Sequence, residues 1–459
     1  MKNLNCPPSS CVGKIDARVV KKLSKRFKSK ASAHTGSAWQ DGLACASVRF
    51  EVYLRSIRTV IGCYGVILVP RSNVSIGLSE VLCHFEELED PRSPINRHHP
   101  LPSVLTISLM GVLAGSDGPT AISRWAVAKK DLLMQALDLP HGIPSRDVIR
   151  RVLSALKVDA FQSCFACWLN SLRDAAKEKA GIHAEEKNHM AIDGKTMKGS
   201  HNRAKGLGPM HMVSAWLSEF GLTLAQVATD VKSNEITAIP ELLKLIDLNG
   251  SIITIDAMGT QVAIAEQIVE GKGDYILALK ANQDGLFQQV IDCVEEHISD
   301  DFERLPSERL EESSKKSHGR TDSRTYLQFE VPNAFTGTSR WKGLKTIGVV
   351  VYMSLIKGEE RTDIRYFISS LPLGIQQFSK AVRRHWGIET TCHWSLDVTY
   401  GEDGLRTRQR TIAENLAWLR RFTLSLLKQH PGKDSLAMKR RICGWSDDFL
   451  MEVLGIKAV

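Results

Sequence analysis

HMAID (His189–Asp193), HMVSAWLS (His211–Ser218) and LTLAQVAT (Leu222–Thr229) are three short runs of apolar and β-branched residues. Each has the length and composition of a buried strand. The short connection Glu219–Gly221 joins the second to the third as a hairpin. A helical period at Ile236–Leu245 follows, then the strand SIITID (Ser251–Asp256), a helix at Val262–Val269, the strand DYILALK (Asp274–Lys280) and a helix from Asp284 to about His297. Three consecutive strands followed by helix-linked strands predict an α/β fold. An antiparallel meander is extended into a mixed sheet with helices on its faces.

The pattern differs on either side. From Leu78 to Ala180 helical periods dominate, with a core helix at Val104–Gly115 and further helices starting near Pro119, Ser145 and Asp159. Ser145 is the expected N-cap of one of them, with Asp147 in its first turn. A charged hinge, AAKEKAGIHAEEKNH, leads into the first strand. After the charged stretch Ser299–Arg324, strands resume at Tyr326–Val331, Thr346–Leu355 and Asp363–Ser370, forming a β-rich insertion. Helices return at Ile375–Thr391, or a little beyond, and at Ile412–Leu427. The expected organisation is a basic, poorly ordered extension (1–77), a helical N-terminal domain (78–180), a catalytic domain from 186–298 and 371–430, the insertion 299–370, and a tail 431–459. Cys164 and Cys167 form a C-x-x-C without a second pair, which reads as buried thiols rather than zinc.

The chain has 459 residues, with 43% hydrophobic and 24% charged, the balance of a soluble globular protein. No run is long enough to cross a membrane, and ten irregularly spaced cysteines do not make a disulfide framework. A reducing, cytoplasmic setting is expected. The net charge of +9 is unevenly spread: residues 1–75 carry 13 Lys/Arg against three acids, so the rest of the chain is close to neutral. Within that rest, Arg365–Arg441 holds 14 Lys/Arg against six acids, an excess suited to a polyanion. The basic run KKLSKRFKSK (Lys21–Lys30) reads as a disordered extension, a nucleic-acid-binding arm or sequence upstream of the true start.

Asp193 in MAIDGK and Asp256 in ITIDAMG each end an apolar run and precede a small residue. A carboxylate just past a strand's last core residue lies at the sheet's C-terminal rim, where open α/β sheets place their sites. With the first and fourth strands adjacent, the two carboxylates repel unless a cation separates them. Hard divalent ions, Mg²⁺ or Mn²⁺, are the matching ligands. A third acid is then expected, and Glu389 is the candidate, in RRHWGIETTCHWSLDVTYGEDGLRTR (Arg383–Arg408). His385, Glu389 and His393 recur every four residues and share a helical face. The two histidines are two turns apart, too far to share a zinc ion. Trp386 and Trp394 either pack the helix to the core or stack on an extruded base.

MAIDGKTMKGS, ITIDAMGTQ, YILALKANQ and HWGIETTCHWSLDVTYGEDGLRTR, in that order, resemble the H-repeat-associated transposases of bacterial insertion sequences. These are DDE enzymes with a ribonuclease H-like core. The resemblance runs from about Leu78 to the C-terminus. It implies Asp193, Asp256 and Glu389 as the three acids, a pair of divalent ions, and nicking of element ends followed by joining to target DNA. The wider superfamily carries a Tyr-x2-Arg-x3-Glu-x6-Lys signature around the third acid. Here Val382, His385 and Leu396 occupy its other positions, so Asp397 and Glu402 stay as alternatives. Lys195, Lys198, Lys280, Asn282, Arg384, His385, Trp394, Arg406, Arg408 and Arg410 are the candidate DNA contacts. Double-stranded DNA, as terminal repeats and target, is the expected partner, with a homodimer or larger assembly at the bacterial nucleoid and no membrane association. A catalytically degraded DNA-binding relic and a ribonuclease H-like nuclease are the alternatives.

Overall fold

The computed structural model describes residues 85–86, 88–165, 187–229, 235–298, 300–316, 320–333, 335–356 and 359–454. The basic segment 1–77, most of the charged hinge and Cys167 lie outside the described residues. The described residues fall into two compact units. One lies within Ser72–Leu277, Arg340–Gly343 and Lys380–Val459, the other within Ala278–Ser339 and Leu344–Ser379.

In the larger unit, α1 (Leu101–Leu113), α2 (Pro119–Ala128), α3 (Lys130–Ala136) and α4 (Arg146–Ala155) precede the sheet. α1 is apolar around its whole circumference and all of it but Pro102 is buried, as a core helix requires. Ser145 caps α4 as expected, its hydroxyl accepting from the Val148 N–H. The sheet consists of β1 (Asn188–Met197), β2 (Met210–Leu217), β3 (Leu222–Thr229), β4 (Ser251–Ile255) and β5 (Asp274–Leu279), in the order β3-β2-β1-β4-β5. β1, β2 and β3 form the antiparallel meander, whereas β4 joins β1, and β5 joins β4, in parallel. The helix-linked crossovers run through α5 (Glu235–Lys244) and α6 (Val262–Glu270). α5 packs against β2 and β3, and α6 against α5.

The smaller unit holds α7 (Asp284–Ile298) and an antiparallel sheet in the order β9-β8-β7-β6. Its strands are β6 (Ser307–Lys316), β7 (Arg320–Glu330), β8 (Thr346–Ile356) and β9 (Glu359–Ser369). The expected insertion had three strands. β6 and the first half of β7 fall inside Ser299–Arg324, whose polar composition masks them. An edge strand written with charges is a common defence against edge-to-edge pairing. α8 (Ile375–Gly387) starts in this unit, where the Glu308 carboxylate accepts the Ile375 N–H at 2.7 Å.

α8 runs directly into a π-helical turn, Ile388–His393, then α9 (Trp394–Val398), α10 (Arg410–Gln429), α11 (Leu436–Trp445) and α12 (Asp447–Val453). The last two are a correction, because α10 was expected to be the final helix and 431–459 a tail. Ser435 and Ser446 cap them through their hydroxyls, a helix-start signal the sequence reading passed over. α10 is the central helix of the unit, packed against α1, α4, α11 and β3. The ring of Phe165 packs edge-on against Phe161 and against Trp418 and Phe422 from α10, Phe165 and Phe422 lying 4.3 Å apart. Such contacts add about 0.5–1.5 kcal/mol per pair beyond area burial.

Candidate catalytic site

β1 does not end at Asp193, as the sequence suggested, but continues to Met197 along β2, with Gly194 opposite Val213 and Met197 opposite Met210. What ends there is its pairing with β4, whose last step is Ile192 opposite Ile255. Asp193 and Asp256 are therefore each the first residue past the last parallel pair. The two acids leave adjacent strands side by side at one rim. Asp256 caps the short turn Ala257–Gly259, its Oδ1 accepting from Met258 N at 3.1 Å and Gly259 N at 3.4 Å. The Asp193 Oδ1 accepts from the Gly194 N–H at 2.8 Å.

Glu389 is exposed and lies in the π turn, which packs on β1. π turns inside α-helices are rare and recur at functional sites. This one closes through Trp394 N–H donating to the Glu389 carbonyl. It alters the four-residue face expected for His385, Glu389 and His393. The His385 Nδ1 lies 2.9 Å from the Thr254 hydroxyl on β4, and the His393 Nδ1 lies 3.6 Å from Asp193 Oδ2. Burial, with Arg421 and Lys195 nearby, pushes the His393 imidazole down to about 3, so it is neutral and that contact is not an ion pair. Burial also pushes the Asp193 carboxyl up to about 7, opposed by the Gly194 N–H and reinforced by the charges of Asp256, Glu389 and Glu235. The field at Asp193 thus comes from both other expected acids and from one that was not expected.

Among the described residues, no group of three His, Cys, Asp or Glu side chains is drawn together closely enough to hold a metal ion. The donor set nevertheless fits one. Its members are carboxylates, two leaving adjacent strands side by side and one on the π turn that packs on β1, and such hard oxygen donors suit a divalent cation.

The alternatives to Glu389 sit differently. Glu402 is fully buried, with Arg420 Nη1 at 3.2 Å and Arg421 Nη1 at 3.3 Å from its Oε1, and Lys195 Nζ at 3.7 Å from its Oε2. Burial would raise its carboxyl, but Arg421, Arg420 and Lys195 together hold it below the ordinary range. Asp397 pairs with Lys195 at 2.7 Å. Lys195 is only 6% exposed and also meets Asp403 at 3.2 Å, so its ammonium is committed to three carboxylates rather than presented to a phosphate. Lys198 is exposed and pairs with Asp403 at 2.5 Å. Arg384 pairs with Glu219 at 2.5 Å, and Arg410 donates to the Gly208 carbonyl at 2.8 Å. Arg406, Arg408 and Trp394 are exposed, Trp394 by 58%. Lys280 and Asn282, also exposed, belong to the smaller unit.

Two buried residues beside Gly194 escaped the sequence reading. Glu235 opens α5 and is 4% exposed, and its Oε1 lies 2.6 Å from the Nε2 of buried His211 on β2. The available signal was an acid in the first turn of the crossover helix that follows the meander.

Comparison with known proteins shows the family. Residues 184–427 match the family described as Transposase DDE domain, and residues 82–169 match DDE_Tnp_1-associated. The chain belongs to the DDE transposase family. It is 34% identical over 383 residues to the "H repeat-associated putative transposase YhhI" of Escherichia coli K12, covering 82% of this chain and 98% of that one. It is also 34% identical over 384 residues to the "Putative transposase YncI" of Escherichia coli O157:H7, covering 83% and 95%. A solved piggyBac transposase synaptic complex with hairpin DNA aligns at a TM-score of only 0.34 and 11% identity, over 83% of this chain and 80% of that one. No helix among the described residues is long and apolar enough to cross a membrane.

Proposed function

We propose that this insertion-sequence transposase binds the ends of its element as double-stranded DNA, nicks them, and joins the freed 3′ ends to target DNA. Asp193, Asp256 and Glu389 are its three acids. The observation that carries this reading is the exit of Asp193 and Asp256 side by side from adjacent parallel strands, beside the π turn that bears Glu389 and packs on β1. Divalent cations, when bound by those three carboxylates, supply activation of the attacking hydroxyl and relief of charge on the leaving oxygen. The chain's own groups do the rest. Adjacent parallel strands fix Asp193 beside Asp256, the π turn brings Glu389 toward them, and neutral His393 adds no competing charge beside Asp193. Exposed Arg406 and Arg408, in the segment after the third acid, are suited to the phosphates flanking the cut, and exposed Trp394 to a base. Two such sites acting together on two ends fit a homodimer or larger assembly on DNA.

The full chain, given DNA bearing the element's terminal repeats and Mg²⁺ or Mn²⁺, should nick and join it. Asp193→Ala should lower both steps by about 10³-fold or more while leaving DNA binding nearly unchanged. Strand transfer that survives this substitution would reject the assignment.

A further inference from the structure

Gly194 has no side chain, and the space it leaves is occupied. A Cβ there would meet His211 Nε2 at 2.2 Å and Glu235 Oε1 at 2.5 Å, closer than any side chain could sit. Residues 193 and 194 point to opposite faces of β1. The Glu235–His211 pair therefore lies directly behind the backbone that presents Asp193. The pair is fixed at both ends: His211 Nε2 donates to Glu235 at 2.6 Å, and its Nδ1 meets the Thr196 hydroxyl at 2.8 Å. Thr196 and His211 are themselves opposite each other in the β1–β2 ladder. Glu235 is 4% and His211 1% exposed, so neither is placed to touch DNA. A carboxylate kept this close to another acid, out of water and pinned by an imidazole, serves no purpose in packing alone, since an apolar side chain would fill the same space without desolvating a charge.

We propose, on the reading of Asp193 as the first acid, that Glu235 is a fourth acidic member of the site: a positioning residue, locked by His211 through the gap at Gly194, whose charge strengthens the hold of Asp193 on a divalent cation. It acts through the field at Asp193 and the placement of the Asp193–Gly194 backbone rather than by touching substrate.

The test uses the full chain without DNA, titrated with Mn²⁺ by calorimetry, alongside thermal unfolding in EDTA. Glu235→Gln should weaken Mn²⁺ binding about tenfold, with unfolding in EDTA little changed, and Glu235→Asp should recover part of the loss. In cleavage assays the Mn²⁺ concentration for half-maximal rate should rise by a similar factor. Mn²⁺ binding within twofold of the parent in a folded Glu235→Gln protein overturns the proposal. Should that variant fail to fold, Glu235→Asp and His211→Asn decide in its place: both keep the carboxylate but loosen it. Affinity weakened several-fold in both upholds the positioning role, and unchanged affinity in both ends it. Asp193→Asn is run in parallel. If it binds Mn²⁺ and cleaves normally, the assignment of the site itself has failed. If it loses both while the Glu235 and His211 variants match the parent, only the fourth acid is lost.

Discussion

At Glu402 a carboxylate is fully buried against two guanidiniums and an ammonium, whereas at Glu389 it stands exposed on the π turn. The same residue type therefore has opposite consequences when neutralised. Removing the charge of a buried, paired acid leaves its partners uncompensated and costs about 3–5 kcal/mol. Neutralising an exposed acid costs little stability. Glu402→Gln should accordingly lower the urea midpoint sharply, and Glu389→Gln should leave it nearly unmoved while abolishing DNA cleavage. A Glu402→Gln protein as stable as the parent would mean that the cluster around Lys195 is not what holds the segment after Glu389 against β1. From residue type and spacing alone, Glu389, Asp397 and Glu402 were alternatives, because burial and partners are not written in the local sequence.

The continuous helix from Ile375 to Val398 was partly legible, since its apolar residues recur at helical spacing, although it runs past the expected end near Thr391. The π turn within it was not. Its i→i+5 bonding has no signature in residue spacing. Here α8 is anchored by Glu308 at its start and touches β4 through His385, while α9 is tied to Lys195 through Asp397. Deleting exposed Thr390 would let the segment return to α-helical bonding with its flanks kept in register, removing the local widening that carries Glu389. The protein should keep its helical circular dichroism yet lose cleavage by about 10²-fold or more, because a misplaced reactive group costs that much. Full activity in the deletion variant would show that the π turn has no part in aiming Glu389. β6 and the front half of β7 were missed for a different reason: their polar faces carry no hydrophobic period, and pairing across the sheet is what makes them strands.

Over the whole molecule, charge is distributed by function more than by unit. The basic excess of Arg365–Arg441 is partly spent internally, with Arg420 and Arg421 buried on Glu402 and Arg384 paired at the surface with Glu219. Exposed Arg406 and Arg408 are left facing solvent. If both meet phosphate, the Arg406→Ala, Arg408→Ala double variant should bind terminal-repeat DNA more weakly. Its log–log salt slope should then be shallower by about 2, one counterion's worth for each cation removed. An unchanged slope would place the DNA elsewhere on the protein.

By itself the sequence determined the order of strands and helices from β1 to α7, the core character of α1, and the place of Asp193 and Asp256 at one rim of the sheet, because these follow from short-range periodicity and from an acid closing an apolar run. The family followed from the order of four motifs. Tertiary structure alone decided that β1 runs on past Asp193, that Lys195 and Glu402 are partners rather than a DNA contact and an alternative acid, and that Glu235 and His211 stand behind Gly194. Each of these depends on which distant segments meet and on what burial does to a charge, and a carboxylate's environment is set by neighbours that lie tens or hundreds of residues away along the chain.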